Sequence, residues 1–448
     1  MKFLALLVAA VFSSLAASAE PPQPDVKMPV IDFVEYDLPN GLHVILHQNK
    51  TAPLVSTYLL YHVGSKNERP DRTGFAHFFE HLMFEGTANI QRGQIDKLVS
   101  AAGGNLNAST SFDRTDYHFN LPANQLGLAL WIESERMLHG KVEKVGVETQ
   151  RQVVKEERRR GTDNAPYGKL FEKLVELTFK GSPYQWPPIG SAQYIDQAKI
   201  EEFRDFYHHF YVPNNATLVI AGDFEIEPAK KLIADYFGPI PRGKEIERPH
   251  FMLKPQTAPA EQTVTAPTTP LPAVVHAWRA PSETAEDAPA VELLADILGT
   301  GRSSRLYERL VRKEQAASGI EVFPYLLEKG GLVGVFAIGN PATPLEKLDR
   351  LIDEEIAKIR DSGVTPEELQ KAKNLKLREI ASSYGTMQSR AENLAHYHVM
   401  FGDTSKINHE WERYEAVTPE AIQRAATKYL QPSGVNILRF PMAKTEKK

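Results

Sequence analysis

The chain has 448 residues, 42% hydrophobic and 24% charged, enough for two or three domains that each bury a core. Its 52 Lys+Arg against 57 Asp+Glu give a formal net charge of −5, without the basic excess expected of a nucleic-acid or anionic-membrane binder. Cysteine is absent, which excludes disulfides, thiol nucleophiles and thiolate metal sites, so any metal must be held by His, Asp or Glu.

Lys2, the apolar run from Phe3 to Leu15 and the small-x-small Ala17-Ser18-Ala19 read as an export signal over 1–19 with a mature start near Glu20. The alternative is an uncleaved interfacial helix. The run is too short for a good membrane anchor and no later stretch approaches spanning length, so no stable membrane insertion is expected. The predicted location is the bacterial periplasm or the cell exterior. Pro21-Pro22-Gln23-Pro24 opens an extended leader over 20–32.

Two alternating runs around Asn40-Gly41 predict a hairpin, and residues 55–62 a further strand. Helices are expected over 74–86 and 92–102, a strand over 117–121, and long helices over 123–139 and 143–160. A Pro/Thr-rich linker over 241–264 separates a first domain (33–240) from a second (265–445). Ile200–Asp223 and Ile422–Phe440 share one plan of helix, Tyr, Pro-containing turn and apolar strand. The expected fold class is therefore α+β, with two similar halves, each a mixed, mainly antiparallel sheet with helices packed on it.

The sharpest local feature is His77-Phe-Phe-Glu80-His81. On a helix, residues four apart share a face, so His77 and His81 can offer two imidazoles to one ion. Glu80 lies near that face and can reach a water on the ion. A pair of helical histidines is more often a packing or surface feature, so the pentapeptide alone leaves both readings open. A catalytic zinc wants three protein ligands and an open position. Arg151-Gln-Val-Val-Lys-Glu156-Glu157 offers carboxylates for the third, although Glu/Arg runs are usually solvated helix faces.

Three ordered motifs give the chain a resemblance to the pitrilysin (M16) family of zinc metallopeptidases, which includes the mitochondrial processing peptidase. They are His-Phe-Phe-Glu-His-Leu-Met-Phe-Glu-Gly-Thr, Gly-Gly-Asn-Leu-Asn-Ala-Ser-Thr and Arg-Gln-Val-Val-Lys-Glu-Glu. Pro183-Tyr184, Gly190-Ser191, Pro213-Asn214-Asn215 and the segment Leu298 to Tyr307 extend the resemblance over nearly the whole mature chain. It implies one Zn2+ per chain, held by His77, His81 and Glu157, with Glu80 as the catalytic base and a peptide as substrate. Glu157 follows His81 by 76 positions and Arg151 by six, as the family pattern asks. Glu156 would face away or act behind the ligands. Gln150 stands where some relatives carry glutamate. The resemblance also makes Asn105, Asn107 and Ala108 part of an edge strand that binds substrate; a Gly/Asn/Ser-rich loop is the alternative.

One departure stands out. Self-sufficient relatives carry an Arg and a Tyr seven apart around Lys-Glu-Gln; aligning Lys313-Glu314-Gln315 puts Val311 and Ser318 there. Arg309 and Arg312 are near, but no tyrosine follows at the right distance. The resemblance thus implies half of a peptidase chamber, completed by a related subunit that lacks zinc ligands and supplies the Arg/Tyr pair. Two other readings compete. One is a non-catalytic structural or binding subunit, which usually loses the zinc ligands. The other is a zinc or peptide carrier, for which His208-His209 is the sole His pair on offer.

Overall fold

The computed structural model describes residues 28–443. The predicted export signal and leader residues 20–27 lie outside the described residues. The runs around Asn40-Gly41 pair antiparallel as β1 (Val34–Asp37) and β2 (His43–Gln48), with Tyr36 opposite Val44. Gly41 takes φ +91°, and a Cβ there would strike Asn214 and Arg242, so the turn needs glycine twice over. β3 (Leu54–Tyr61), β4 (Asn105–Thr110), β5 (Thr115–Pro122) and β6 (Ala216–Gly222) complete a sheet ordered β1-β2-β6-β3-β5-β4. β2 and β6 run parallel, the other pairs antiparallel. β6 is buried at every position, as its unbroken small and apolar sequence requires of a strand covered on both faces.

The second sheet contains β7 (Ala260–Thr263), β8 (Ala273–Ala280), β9 (Ala317–Leu327), β10 (Gly330–Gly339) and β11 (Asn436–Phe440), ordered β7-β11-β8-β10-β9. Strand for strand this repeats β2-β6-β3-β5-β4, with the parallel pair, β7 and β11, in the same place. The fold is the expected α+β duplication. β7 lies at the end of the Pro/Thr-rich tract and is the second half's counterpart of β2.

In the first half α1 (Phe75–Leu82), α2 (Gln94–Ala101), α3 (Leu126–His139) and α4 (Lys144–Arg158) occupy the four helical stretches with trimmed ends. α4 widens into a π-helical turn over Arg159–Asp163. Beyond it come α5 (Leu170–Thr178) and α6 (Ile200–Phe210), and in the second half α7 (Met387–Phe401) and α8 (Pro419–Tyr429). α6 and α8 each lead through a 3₁₀ turn, Pro213–Asn215 or Pro432–Gly434, into β6 or β11.

The halves exchange helices. Ala391, Leu394 and Ala395 of α7 share one core with Ile45, Tyr58, Leu60, Val219 and Ala221 of the first sheet. Reciprocally, Leu174 and Val175 of α5 pack with Ala273, Val275, Ala277, Leu438 and Phe440 of the second. Each sheet thus hides its second face under a helix of the other half. At roughly 25 cal/mol per Å² of apolar area removed from water, neither half can surrender that cover cheaply. No helix among the described residues is long and apolar enough to cross a membrane.

Candidate metal centre

α1 is a two-faced helix. Phe75, Phe78 and Phe79 bury against Phe203 of α6, with ring centroids 4.6, 4.6 and 6.3 Å apart, which fixes its rotation about its axis. His77, Glu80 and His81 are left on the opposite side. The N-terminal turn is held by Glu68, whose two carboxylate oxygens accept the backbone N–H groups of Gly74 and Ala76 at 2.8 Å. These are two of the donors that a helix start leaves without a partner. Sequence reasoning missed Glu68; its one signal was an acidic residue shortly before the helix.

Gly190 clamps the same turn from outside. Its φ is +59°, and a Cβ would lie 2.2 Å from the Gly74 nitrogen. Gly190→Ala is expected to displace the start of α1, costing about 1–3 kcal/mol by overpacking. Urea unfolding would read the stability loss, and zinc dialysis an accompanying fall in metal affinity.

α4 brings Glu157. Arg151 and Val154 are its buried residues near that end, and the Arg151 guanidinium sits 5.5 Å from the Phe203 ring. One phenylalanine therefore sets the register of both helices. Glu157 Oε2 lies 3.5 Å from His77 Nε2 and 3.3 Å from His81 Nε2, and the imidazoles meet at 79°. One ligand atom from each residue falls within 4.8 Å of the others. Ligands at about 2.0–2.1 Å around a tetrahedral ion stand about 3.4 Å apart. Two imidazoles and a carboxylate at this spacing fit a zinc-class ion and leave a fourth position.

The electrostatics agree with that donor set. Hydrogen bonds from His77 and His81 hold the Glu157 carboxyl well below the usual carboxylate range. Burial pulls the His81 imidazole down, but Glu157 and the charge of Glu80 outweigh it and raise it above 6.5. An ion must displace that proton. Zinc affinity is therefore expected to fall between about pH 8 and about pH 6, and calorimetric titration at the two values checks this; a flat profile would remove His81 from the ligand set.

Glu80 Oε2 accepts a hydrogen bond from Thr110 Oγ1 at 2.6 Å. Thr110 ends β4, an edge strand paired only through β5. Leu106, Ala108 and Thr110 share one face of β4, while Asn105, Asn107 and Ser109 lie on the other, opposite Asn120, His118 and Asp116. Asn105 Oδ1 accepts from Asn120 Nδ2 at 3.0 Å. The alternation of β4 was the signal that could have singled out Thr110. Glu156 turns away and pairs with Arg159 at 2.7 Å and with Arg160, which hold its carboxyl at about 2. Gln150 Nε2 donates to the buried Glu85 at 2.6 Å, and Glu85 also pairs with Arg92. The Glu85 carboxylate therefore stands behind Gln150, whose side chain in turn reaches His81.

Near Lys313-Glu314-Gln315, Arg309 and Arg312 are both engaged in ion pairs. Val311 packs partly buried against the second core, and Ser318 Oγ donates to the Ile338 carbonyl at 3.2 Å. Arg309 pairs with Glu314 and Glu354 at 2.9 Å, and Arg312 with Glu308 at 2.7 Å. His208 and His209 are exposed on α6.

Comparison with known proteins gives a consistent match. The family described as insulinase (peptidase family M16) matches residues 43–190, and the peptidase M16 inactive domain matches 197–376. The zinc protease PqqE of Helicobacter pylori is 31% identical over 79% of this chain and 80% of that protein. The crystal structure of a protease from Helicobacter pylori superposes with a TM-score of 0.88 at 28% identity, over 92% of this chain and all of that one (100%). The periplasmic protease PqqL from Escherichia coli shares the fold, with a TM-score of 0.75 at 20% identity; the likeness spans 93% of this chain but 48% of PqqL.

Proposed function

Because the chain belongs to peptidase family M16, we propose that it is a zinc endopeptidase acting on short or unfolded peptides outside the cytoplasm. The observation that carries the reading is the triangle of His77, His81 and Glu157 with Glu80 hydrogen-bonded beside it. These three residues would hold the ion. Bound there, zinc would supply Lewis acidity toward a water and the scissile carbonyl. Glu80 takes the proton of the attacking water on its carboxylate and delivers it to the leaving amine. Thr110 holds one Glu80 oxygen, which orients the other toward the water. The unpaired edge of β4, around Asn105, Asn107 and Ala108, aligns the peptide by main-chain hydrogen bonds. A location in the periplasm or cell exterior is supported by the N-terminal signal pattern.

The active unit in this reading contains a second, related subunit. Val311 and Ser318 offer neither a cation nor a phenol to stabilise the oxyanion, and the whole of PqqL is about twice as long as the part that this chain matches. The purified, zinc-loaded chain alone is expected to leave a quenched-fluorescent peptide library essentially uncut. Cleavage by the chain alone would overturn the need for a second subunit.

A further inference from the structure

A second cluster of metal-binding type lies away from α1 and α4. Glu35 on β1, His43 at the start of β2 and His398 on α7 each bring a ligand atom within 4.8 Å of the others. We propose that Glu35, His43 and His398 form a second divalent-cation site, of zinc class, that pins α7 of the second half to the first hairpin.

The construction of His43 carries the argument. Its Nδ1 is 2.8 Å from Asp37 Oδ1, the carboxylate-to-imidazole support that fixes the tautomer and orientation of a metal-binding histidine. Its Nε2 is buried, has no hydrogen-bond partner and faces Glu35 Oε2 at 3.4 Å. That separation matches the 3.3 and 3.5 Å at the α1–α4 centre and the edge of a tetrahedral ion at about 3.4 Å. Glu35 is itself anchored, its Oε2 accepting from Thr404 Oγ1 at 2.6 Å. The cluster borders a cavity of about 270 Å³ lined by Asp37, His43, Thr217 and His398, with room for an ion and its waters.

His398 stacks face to face on His43, with centroids 3.5 Å apart and planes 3° from parallel. One ion cannot lie in both ring planes of such a stack. Binding therefore turns His398 edge-on, toward the point between Glu35 and His43 Nε2. Two imidazoles and a single carboxylate favour zinc-class ions over calcium or magnesium, which take oxygen ligands.

The test is the zinc stoichiometry of the full chain, stripped and then dialysed against zinc, read by atomic emission. The wild type is expected to bind two ions, His398→Ala one, and His77→Ala/His81→Ala one. Glu35→Gln, at the exposed rim, loses the second ion too and decides the matter if His398→Ala does not fold. A wild type that binds one ion, lost in His77→Ala/His81→Ala, overturns the proposal; so does a second ion kept by Glu35→Gln and His398→Ala. One ion lost in His398→Ala yet kept in His77→Ala/His81→Ala would uphold this site and remove the other.

Discussion

Glu80→Gln is expected to keep the zinc of the wild type and to lose about 10²–10⁴-fold in kcat once the complete enzyme is assembled. The substitution preserves size and shape, and the amide oxygen of Gln can still accept the hydroxyl of Thr110, so the local packing is undisturbed. Glu80 is not among the three residues whose ligand atoms converge, so metal content should not move. What disappears is the ability to take up a proton. Metal analysis and peptide turnover on one preparation separate the two effects; undiminished turnover would sink the assignment of Glu80 as base. Thr110→Val probes the same step indirectly, by freeing a carboxylate that keeps its chemistry. A loss well below that of Glu80→Gln, in kcat with KM unchanged, is expected there.

Lys66→Met is expected to destabilise the folded chain by about 3–5 kcal/mol, more than any surface substitution should. Lys66 is 2% exposed, pairs with Asp113 at 2.8 Å and also with Glu328. Glu328 follows β9 and belongs to the second half, whereas Lys66 and Asp113 belong to the first. His62 Nε2 contacts Glu328 at 2.7 Å, the Glu328 N–H donates to Asp113 at 3.0 Å, and Tyr184 donates its hydroxyl to Asp113 at 2.7 Å. Removing the ammonium leaves two carboxylates close together with no lysine between them, in a site from which water is largely excluded. Urea unfolding followed by intrinsic fluorescence measures the loss, and Glu328→Gln in the Lys66→Met background should restore part of it. Full stability in Lys66→Met would show that the ion pairs of Lys66 are not needed to hold the halves together.

The pH behaviour of the network has a definite sign. Burial works against the Glu328 charge, but the hydrogen bond from His62 and the charge of Lys66 outweigh it and hold its carboxyl well below the ordinary 4.5. A carboxyl depressed in the folded state contributes stability above its unfolded value and loses it as the pH falls toward the folded one. Glu328 thus contributes its full stabilisation to the joint across the neutral range, and that contribution is lost progressively as the pH falls below about 4.5.

Features set by neighbours in sequence were legible without coordinates. The Asn40-Gly41 hairpin, the shared face of His77, Glu80 and His81, and the repeated closures before β6 and β11 depend on periods of two and 3.6 and on turn residues. The absence of cysteine restricted the metal donors to His, Asp and Glu for a purely chemical reason. Spacing could not choose between Glu156 and Glu157, because their side chains diverge by about 100° around a helix whose rotation local sequence leaves free. The resemblance named Glu157; in the fold, Arg151 and Phe203 set that rotation and turn Glu157 to the imidazoles and Glu156 to Arg159 and Arg160.

Tertiary structure alone brought Thr110 to Glu80, across 30 positions, and Glu85 behind Gln150, across 65. It also laid α7 over the first sheet and α5 over the second, a trade that no local pattern encodes, because an apolar helix face does not by itself specify which sheet will cover it. The His43–His398 stack exists only because α7 lies over the first half, and the Lys66–Glu328 pair only because the two halves pack together. Sequence by itself determined which groups this protein can use; the packing of one half against the other decided which of them meet, since contact across hundreds of positions is set by shape and burial rather than by spacing along the chain.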